Sequence, residues 1–187
     1  MMPVIIAIGG KARSGKTTAA TFLAAKLSGN CAIESFATPL KEMVLAQFGD
    51  QVSAADLIHN KSKILTFGDR QMTLRRLMIA VGDMYRAIDE DFWINKLLAT
   101  MHGHEVDGCS HVIIDDMRLP REFEVLDSLG ASLLRVNRPG VELIDDNTET
   151  ALDGHPFHSW LVNDGPIEKF YYILDEHTQR VRTGTGR

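Results

Sequence analysis

The sequence predicts an α/β fold, a central parallel sheet of about five strands flanked by helices. Three observations predict it. Short apolar, β-branched runs alternate with helical patterns from the first residues into the last quarter of the chain. The first of these runs leads straight into a glycine-rich loop and then a helix, the strand–loop–helix order of an α/β unit. The 187 residues include 44% hydrophobic and 24% charged side chains, an ordinary globular mixture for one domain with room for a small insert or lid.

Each element has a local reason. Val4-Ile5-Ile6-Ala7-Ile8 is a continuous apolar run of the kind buried on both faces of a parallel sheet. Residues 19–27 carry Phe22, Leu23 and Leu27 at helical spacing, and Gly29-Asn30 ends the pattern. Residues 31–36 read as a second short strand. Pro39 falls near the first turn of a helix over 40–48, where a missing N–H costs nothing. Residues 53–66 are polar and mixed, and Ser53 followed by Asp56 marks the start of a short helix. Leu74, Leu77, Met78 and Val81 form one stripe of a helix over 73–81. Ile88, Phe92, Trp93, Leu97 and Met101 do the same for a helix expected over 85–101. After a polar loop at 102–110, residues 111–114 form a third buried strand that runs into Asp115-Asp116.

A helix over 120–129 closes at Gly130, and residues 131–136 make a fourth strand. Residues 138–156 are polar and acidic, with Pro139, Gly140, Asp145, Asp146, Glu149, Asp153 and Gly154. That composition predicts a mobile functional loop or lid. A last strand over 160–163, a last helix over 167–176 and a frayed tail over 180–187 complete the chain. The domain reading is a single domain over 1–187, with a helical insert at about 37–100 and the lid at about 138–157.

The net charge of −5 argues against a dedicated duplex-binding protein, which carries a basic excess. No direct nucleic-acid partner is expected. A phosphorylated small molecule stays open, because a pocket needs only a few local cations. The two cysteines, Cys31 and Cys109, are in no C-x-x-C spacing and are expected as reduced thiols of a cytoplasmic protein. The apolar start has no basic flank and stops at Gly9-Gly10. No later apolar run approaches the ~20 residues of a membrane span, so a soluble protein without a membrane partner is expected.

Gly10-Lys11-Ala12-Arg13-Ser14-Gly15-Lys16-Thr17 matches G-x-x-x-x-G-K-[ST] in full. A buried strand precedes it and an amphipathic helix follows, which is the context a phosphate-binding P-loop requires. A chance glycine-rich turn would not need either flank. The chemistry explains the residue types. A triphosphate must be held without being smothered, so glycines let the backbone N–H groups of residues 11–16 turn toward it. The helix N-terminus adds partial positive charge. Lys16 reaches the β- and γ-phosphates, and the Thr17 hydroxyl can hold Mg²⁺. The ATP-binding set is therefore Gly10, Ala12, Arg13, Ser14, Gly15, Lys16, Thr17 and Thr18, with Arg138 downstream. The 135–138 region, including Arg135, could close over ATP.

His111-Val112-Ile113-Ile114-Asp115-Asp116 ends a buried strand in carboxylates. Ligands of open α/β sheets sit at the carboxyl ends of strands, and a carboxylate there can order Mg²⁺ through water. Strand alternation lets one of Asp115 and Asp116 face the metal without saying which. A GTPase is disfavoured, since the base-reading Asn-Lys-x-Asp string is absent; Asn60-Lys61-Ser62-Lys63 lacks the Asp. His102-x-His104 and His155-x-x-His158 are loose pairs without Cys or Asp at zinc spacing.

Further blocks make the chain resemble the phage-type deoxynucleoside monophosphate kinases, within the P-loop nucleoside monophosphate kinase superfamily. Besides the P-loop they are Ser35-Phe36-Ala37-Thr38-Pro39-Leu40-Lys41-Glu42-Met43 and Thr73-Leu74-Arg75-Arg76-Leu77. Val81-Gly82-Asp83, Arg86-Ala87-Ile88-Asp89 and Asp91-Phe92-Trp93 follow. Next come Asp116-Met117-Arg118-Leu119-Pro120-Arg121-Glu122, Arg138-Pro139 and Val162-Asn163-Asp164-Gly165. Together they run over about residues 4–175. The family's His-x-Ser-Glu stretch is replaced by His155-Pro156-Phe157-His158-Ser159, without the Glu. The resemblance implies a P-loop NTPase fold, ATP and Mg²⁺ as cofactors, and a deoxynucleoside monophosphate as partner. It also implies a phage or prophage protein acting in a bacterial host cytoplasm. A homodimer is compatible with it.

A second phosphate site agrees with the residues. Lys41, Arg70, Arg75, Arg76, Arg86 and Arg118 are expected in loops or on helices past the carboxyl edge of the sheet, and a phosphate monoester needs two or three such cations. Arg75 and Arg76 diverge by about 100° on a helix, so one of them faces any given pocket. The acceptor-binding set is Ser35, Phe36, Lys41, Arg70, Arg75, Arg86, Trp93, Asp116, Arg118 and Glu122. Phe36 and Trp93 could stack on the base or serve as core. Asp116 or Glu122 could accept from ribose or base donors. Lys16 and Arg118 are the expected catalytic pair, and Thr17, Asp115 and Asp116 the expected metal site. The alternatives are a P-loop kinase of another small acceptor, such as a dephospho-coenzyme A kinase, and a P-loop regulatory ATPase or nucleotide-binding module.

Overall fold

The computed structural model describes residues 2–141 and 150–182. In chain order the elements are β1 (Val4–Gly9), α1 (Lys16–Lys26), β2 (Cys31–Glu34), α2 (Ala37–Phe48), α3 (Ala54–His59), β3 (Ile64–Phe67) and β4 (Arg70–Thr73). They continue as α4 (Leu74–Ile88), α5 (Phe92–Val106), β5 (His111–Met117), α6 (Pro120–Ser128), β6 (Ser132–Asn137), β7 (Ser159–Val162) and α7 (Ile167–Arg182). The chain divides into two compact units, Met1–Ser35 with Ala99–Arg187, and Phe36–Leu98.

The first unit is built on a five-stranded sheet in the order β2-β5-β1-β6-β7, and every neighbouring pair is parallel. Parallel neighbours require crossovers, and the helices that make them cover both faces. That is why β1 reads as an unbroken apolar run: Ile5, Ile6, Ala7 and Ile8 are all buried. Ile6 and Ile8 join Ile113, Leu134, Val136 and Leu161 against Ala19, Ala20 and Leu23 of α1 and Phe170 and Leu174 of α7. Each large side chain buried this way contributes about 1.5–3 kcal/mol. The Cys109 thiol is buried at the entry to β5 and donates to the Asn30 and His111 carbonyls at 3.3 and 3.1 Å. Burial, and secondarily Cys109, pushes the Cys31 thiol up from its ordinary value. At the far end of β2, Glu34 Oε1 lies 2.6 Å from His104 Nε2 on α5.

The second unit packs around Val44, Val52, Leu57, Leu65, Leu74, Leu77 and Met78. The helical insert expected at about 37–100 also holds a hairpin, because β3 and β4 pair antiparallel. Their two-residue connection, Gly68-Asp69, takes the positive φ of +59° at its glycine that a tight hairpin turn needs. The Gln51 side chain continues the ladder, accepting from Thr66 N–H at 2.9 Å and donating to Thr66 O at 3.1 Å. Ser53 and Asp56 form the reciprocal capping box of α3, and Lys63 Nζ donates to Asp56 Oδ2 at 2.8 Å. The Lys63 contact, with the Ser53 N–H and hydroxyl, holds the Asp56 carboxyl well below the usual carboxylate range.

Two helix boundaries differ from expectation. The helix expected over 85–101 is interrupted: α4 runs on to Ile88 and α5 begins at Phe92. Asp89 makes the break, since its Oδ1 accepts the Asp91 N–H at 3.0 Å, a local bond that competes with the helix ladder. At the C-terminus α7 extends to Arg182, past the expected end at 176. Of the expected lid, residues 142–149 lie outside the described residues, as do residues 183–187 of the expected tail. Among the described residues no helix is long and apolar enough to cross a membrane.

Candidate active site

The glycine-rich loop joins β1 to α1 at the carboxyl edge of the sheet. Gly10 sits at φ +142°, and a Cβ there would lie 2.4 Å from the Val136 carbonyl oxygen, so only glycine lets the chain leave β1 here. Gly15 caps α1 at φ +108° with no side-chain bond, and the N–H groups at such a helix start are the kind of donor an anion takes. Arg13 adopts φ +61° with an ordinary side chain, a conformation costing about 1–2 kcal/mol. Ser14 is buried, and its hydroxyl has no hydrogen-bond partner among the described residues. An orphaned buried hydroxyl inside such a cradle fits an anion that accepts from it.

Lys16 is buried, and its ammonium donates to the Gly10 and Lys11 carbonyls, both at 2.7 Å. The charge is thus folded back over the loop whose N–H groups it would share with a phosphate. One residue on, Thr17 Oγ1 donates to Asp115 Oδ2 at 2.8 Å. A hydroxyl beside one carboxylate suits Mg²⁺, which leaves most of its six positions to phosphate oxygens and water. Among the described residues no group of three or more His, Cys, Asp or Glu side chains forms a metal cluster.

The choice between Asp115 and Asp116 rests on a bulge. Ala7 pairs with Ile114 but Gly9 with Met117, so β5 carries one residue more than β1 over this stretch. Asp115 turns to the α1 face and meets Thr17. Met117 lies with Phe157 at the Gly9 position, 3.4 Å from where a Cβ on Gly9 would stand. Strict alternation would have sent 115 and 117 to the same face; the extra residue breaks it. Asp116 lies half-buried in the bulge.

Beyond β5 the backbone N–H groups of Arg118 and Leu119 donate to Glu122 Oε2 at 2.8 and 3.0 Å. Glu122 is only 5% exposed. This corrects its expected role as an acceptor for ribose or base donors: it caps α6 from the third helical position and holds the Arg118 backbone in place. The Arg118 side chain is half-buried. Arg135, expected near ATP, is buried and paired with Asp153. Its guanidinium lies 5.3 Å from the Phe157 ring centroid and 5.8 Å from that of Trp160, so it is spent on packing that ties residues 153–160 to the sheet. Arg138 is exposed just past β6, Thr18 is half-buried on α1, and Ser35 and Ala12 are half-buried in loops. The two histidine pairs have separate partners. His158 Nδ1 accepts from Leu133 N–H at 3.1 Å, and His155 packs edge-on against Phe123.

The remaining acceptor candidates belong to the second unit. Arg75 and Arg76 are exposed on the first turn of α4, which contains no acid. Two cations beside the positive pole of a helix repel unless an anion joins them. Arg70 is exposed on strand β4 of the hairpin, where a loop or a helix was expected. Lys41 is half-buried on α2, and Arg86 Nη1 pairs with Asp83 at 3.1 Å. Trp93 is 3% exposed, donates its indole N–H to the Gly82 carbonyl at 3.1 Å and packs with Tyr85 and Phe92. Phe36 is buried as well. Both rings are core side chains here, which removes them from the expected base-stacking set.

One contact had no role assigned by sequence reasoning. Asn163, just after β7, is 8% exposed and donates its side-chain amide to the Ser14 carbonyl at 2.8 Å. The Val162-Asn163-Asp164-Gly165 string was the available signal, but nothing local says that its amide reaches the loop 149 residues away.

The family described as deoxynucleotide monophosphate kinase matches residues 47–174. A protein of Acanthamoeba polyphaga mimivirus, provisionally named a deoxynucleotide monophosphate kinase, is 29% identical over 185 residues, covering 90% of this chain and 92% of that protein. The deoxynucleotide monophosphate kinase of Enterobacteria phage T4 is 30% identical over 105 residues, 54% of this chain and 43% of that protein. An uncharacterized protein of Ictalurid herpesvirus 1 is 33% identical over 104 residues, 51% of this chain and 44% of that protein. The match thus spans less than half the length of the phage and herpesvirus relatives. A crystal structure from Chloroflexus aurantiacus, provisionally named a kinase, has a TM-score of 0.51 at 15% identity and covers 98% of both chains. That likeness is one of fold.

Proposed function

The chain belongs to the deoxynucleotide monophosphate kinase family, and from that premise we propose that it transfers the γ-phosphoryl group of ATP to the phosphate of a deoxynucleoside monophosphate, giving ADP and the diphosphate. The observation that carries this reading is the phosphate loop whose Thr17 hydroxyl meets Asp115 at the end of the neighbouring strand.

The chain's tasks in this reaction are to hold two anions and to offset charge as it moves. The loop's N–H groups over residues 11–16 cradle the donor phosphates, except that of Ser14, which donates to the Lys11 carbonyl at 3.2 Å; the Ser14 hydroxyl is a further donor. Lys16 exchanges its two carbonyl contacts for β- and γ-phosphate oxygens. Thr17 and Asp115 are the residues that would hold Mg²⁺, which would offset the negative charge of the phosphates. Arg118, its backbone fixed by Glu122, is assigned to the phosphoryl group in transfer. No residue need act as general base, since a phosphate monoester with a second pKa of about 6 is already an anion near neutral pH. For the acceptor, Arg75 and Arg76 are the foremost candidates in the second unit, followed by Lys41, Arg70 and Arg86. Ser35 and Asp116 are the candidates in the first unit, and Arg138 is a donor-side candidate.

The test is ADP release measured with ATP, Mg²⁺ and, in turn, dGMP, dTMP, dAMP, dCMP and dephospho-coenzyme A. Release stimulated by at least one of the four nucleotides and not by dephospho-coenzyme A is expected. Hydrolysis indifferent to every acceptor would overturn the reading in favour of a P-loop ATPase.

A further inference from the structure

A cradle of inward N–H groups has an unavoidable consequence for its carbonyls. Each peptide is planar and trans, so an N–H aimed inward sends the preceding carbonyl outward. In the loop before α1 that outward carbonyl belongs to Ser14, a residue 1% exposed. A buried carbonyl needs a donor. The Asn163 side chain supplies it at 2.8 Å.

Two further facts make this contact specific. The Asn163 backbone is itself fixed, its N–H donating to the Asn137 carbonyl at 2.7 Å where β6 and β7 end. Gly15 is fitted to the amide: a Cβ there would lie 2.7 Å from Asn163 Nδ2. The glycine that lets Asn163 approach also frees the Ser14–Gly15 peptide, because without a Cβ it can take either sign of φ. A flip of that peptide would swing the Gly15 N–H out of the cradle and put the Ser14 oxygen, an acceptor, where an anion is to bind.

We propose that Asn163 is a positioning residue for the donor phosphates, its side-chain amide locking the Ser14–Gly15 peptide with the Gly15 N–H turned into the cradle. The inference rests on the reading of this loop as the donor site. It adds that the last strand of the sheet, which contributes no charge to the loop, sets the loop's polarity. Asn163 touches no reacting atom; it acts through the peptide it holds.

The experiment measures ADP binding by calorimetry for the full chain, Asn163→Ala and Asn163→Asp, each with a melting curve. Aspartate keeps the size of asparagine but, ionised, can only accept. At about pH 8 both variants are expected to remain folded and to bind ADP about tenfold more weakly or worse. As the pH is lowered to about 6, the aspartate variant should recover affinity relative to the parent and the alanine variant should not. A carboxyl facing a buried carbonyl protonates readily and can then donate. Affinities within about twofold of the parent for both variants, or a loss no larger than the unfolded fraction explains, would overturn the inference. A parent chain that binds neither ADP nor ATP would overturn the donor-site reading as well, which separates the two failures.

Discussion

Thr17 Oγ1 and Asp115 Oδ2 lie 2.8 Å apart although 98 residues separate them in sequence. The contact ties the first turn of α1 to the bulge that ends β5, and it sets a hydroxyl and a carboxylate side by side, the pair proposed above for Mg²⁺. Asp115→Asn keeps the shape and removes the charge. Its Mg²⁺ half-saturation is expected to rise about 10–100-fold, measured by ADP release against Mg²⁺ concentration. Asp116→Asn should leave that curve in place; the opposite ranking would reassign the metal.

Lys16 is held by two carbonyls of its own loop, so its removal affects the loop before it affects the fold. Lys16→Ala is expected to lower kcat/KM by about 10²–10³-fold. Its melting temperature should stay within about 2–4 °C of the parent. Retained turnover in steady-state assays would show that the loop is not the donor site.

Glu122 takes two backbone N–H groups on one oxygen, and this accounts for its burial without a ligand. Glu122→Ala should cost about 1–2 kcal/mol, read as a melting temperature lower by about 2–4 °C per kcal/mol at this length. Glu122→Gln keeps an acceptor oxygen and should restore most of that loss. A glutamine variant with full stability but a raised KM for the acceptor would return Glu122 to the substrate.

The Asp56 carboxyl is held down by Lys63 and by the Ser53 N–H and hydroxyl. A carboxyl whose folded pKa is depressed stabilises the fold above its unfolded pKa of about 3.9 and loses that contribution as pH falls below it. Asp56→Asn should therefore be the less stable protein at pH 7, and the gap should narrow progressively below about pH 4. Urea melts of the two proteins from neutral to acid pH check the sign. A gap that stays constant with pH would mean that the ion pair does not contribute.

Much of the first unit is legible in the sequence alone. The unbroken Val4–Ile8 run, the motif ending in Gly15-Lys16-Thr17 and the strand that runs into Asp115-Asp116 each carry their reason locally. Burial on both faces selects apolar residues, and a phosphate cradle needs glycines and a helix start. The hairpin of β3 and β4 had a readable signal in Gly68-Asp69 between two short runs, but the polar residues around it concealed the period. The helix break at Asp89 was hidden because the apolar spacing of α5 continues that of α4.

What escaped the sequence lies in contacts between residues far apart along the chain. Composition and period establish which segments become strands and helices, because those preferences act over a few residues. They cannot say that β5 bulges by one residue and so sends Asp115 to Thr17, or that Glu122 spends its carboxylate on the Arg118 and Leu119 N–H groups. Nor can they say that Trp93 gives its indole N–H to Gly82, or that Asn163 reaches the Ser14 carbonyl. A strand's register and a side chain's last hydrogen bond depend on which neighbours the packed sheet brings within 3 Å. Only the tertiary structure decides that, and here it decided which carboxylate meets the Thr17 hydroxyl and which one caps α6.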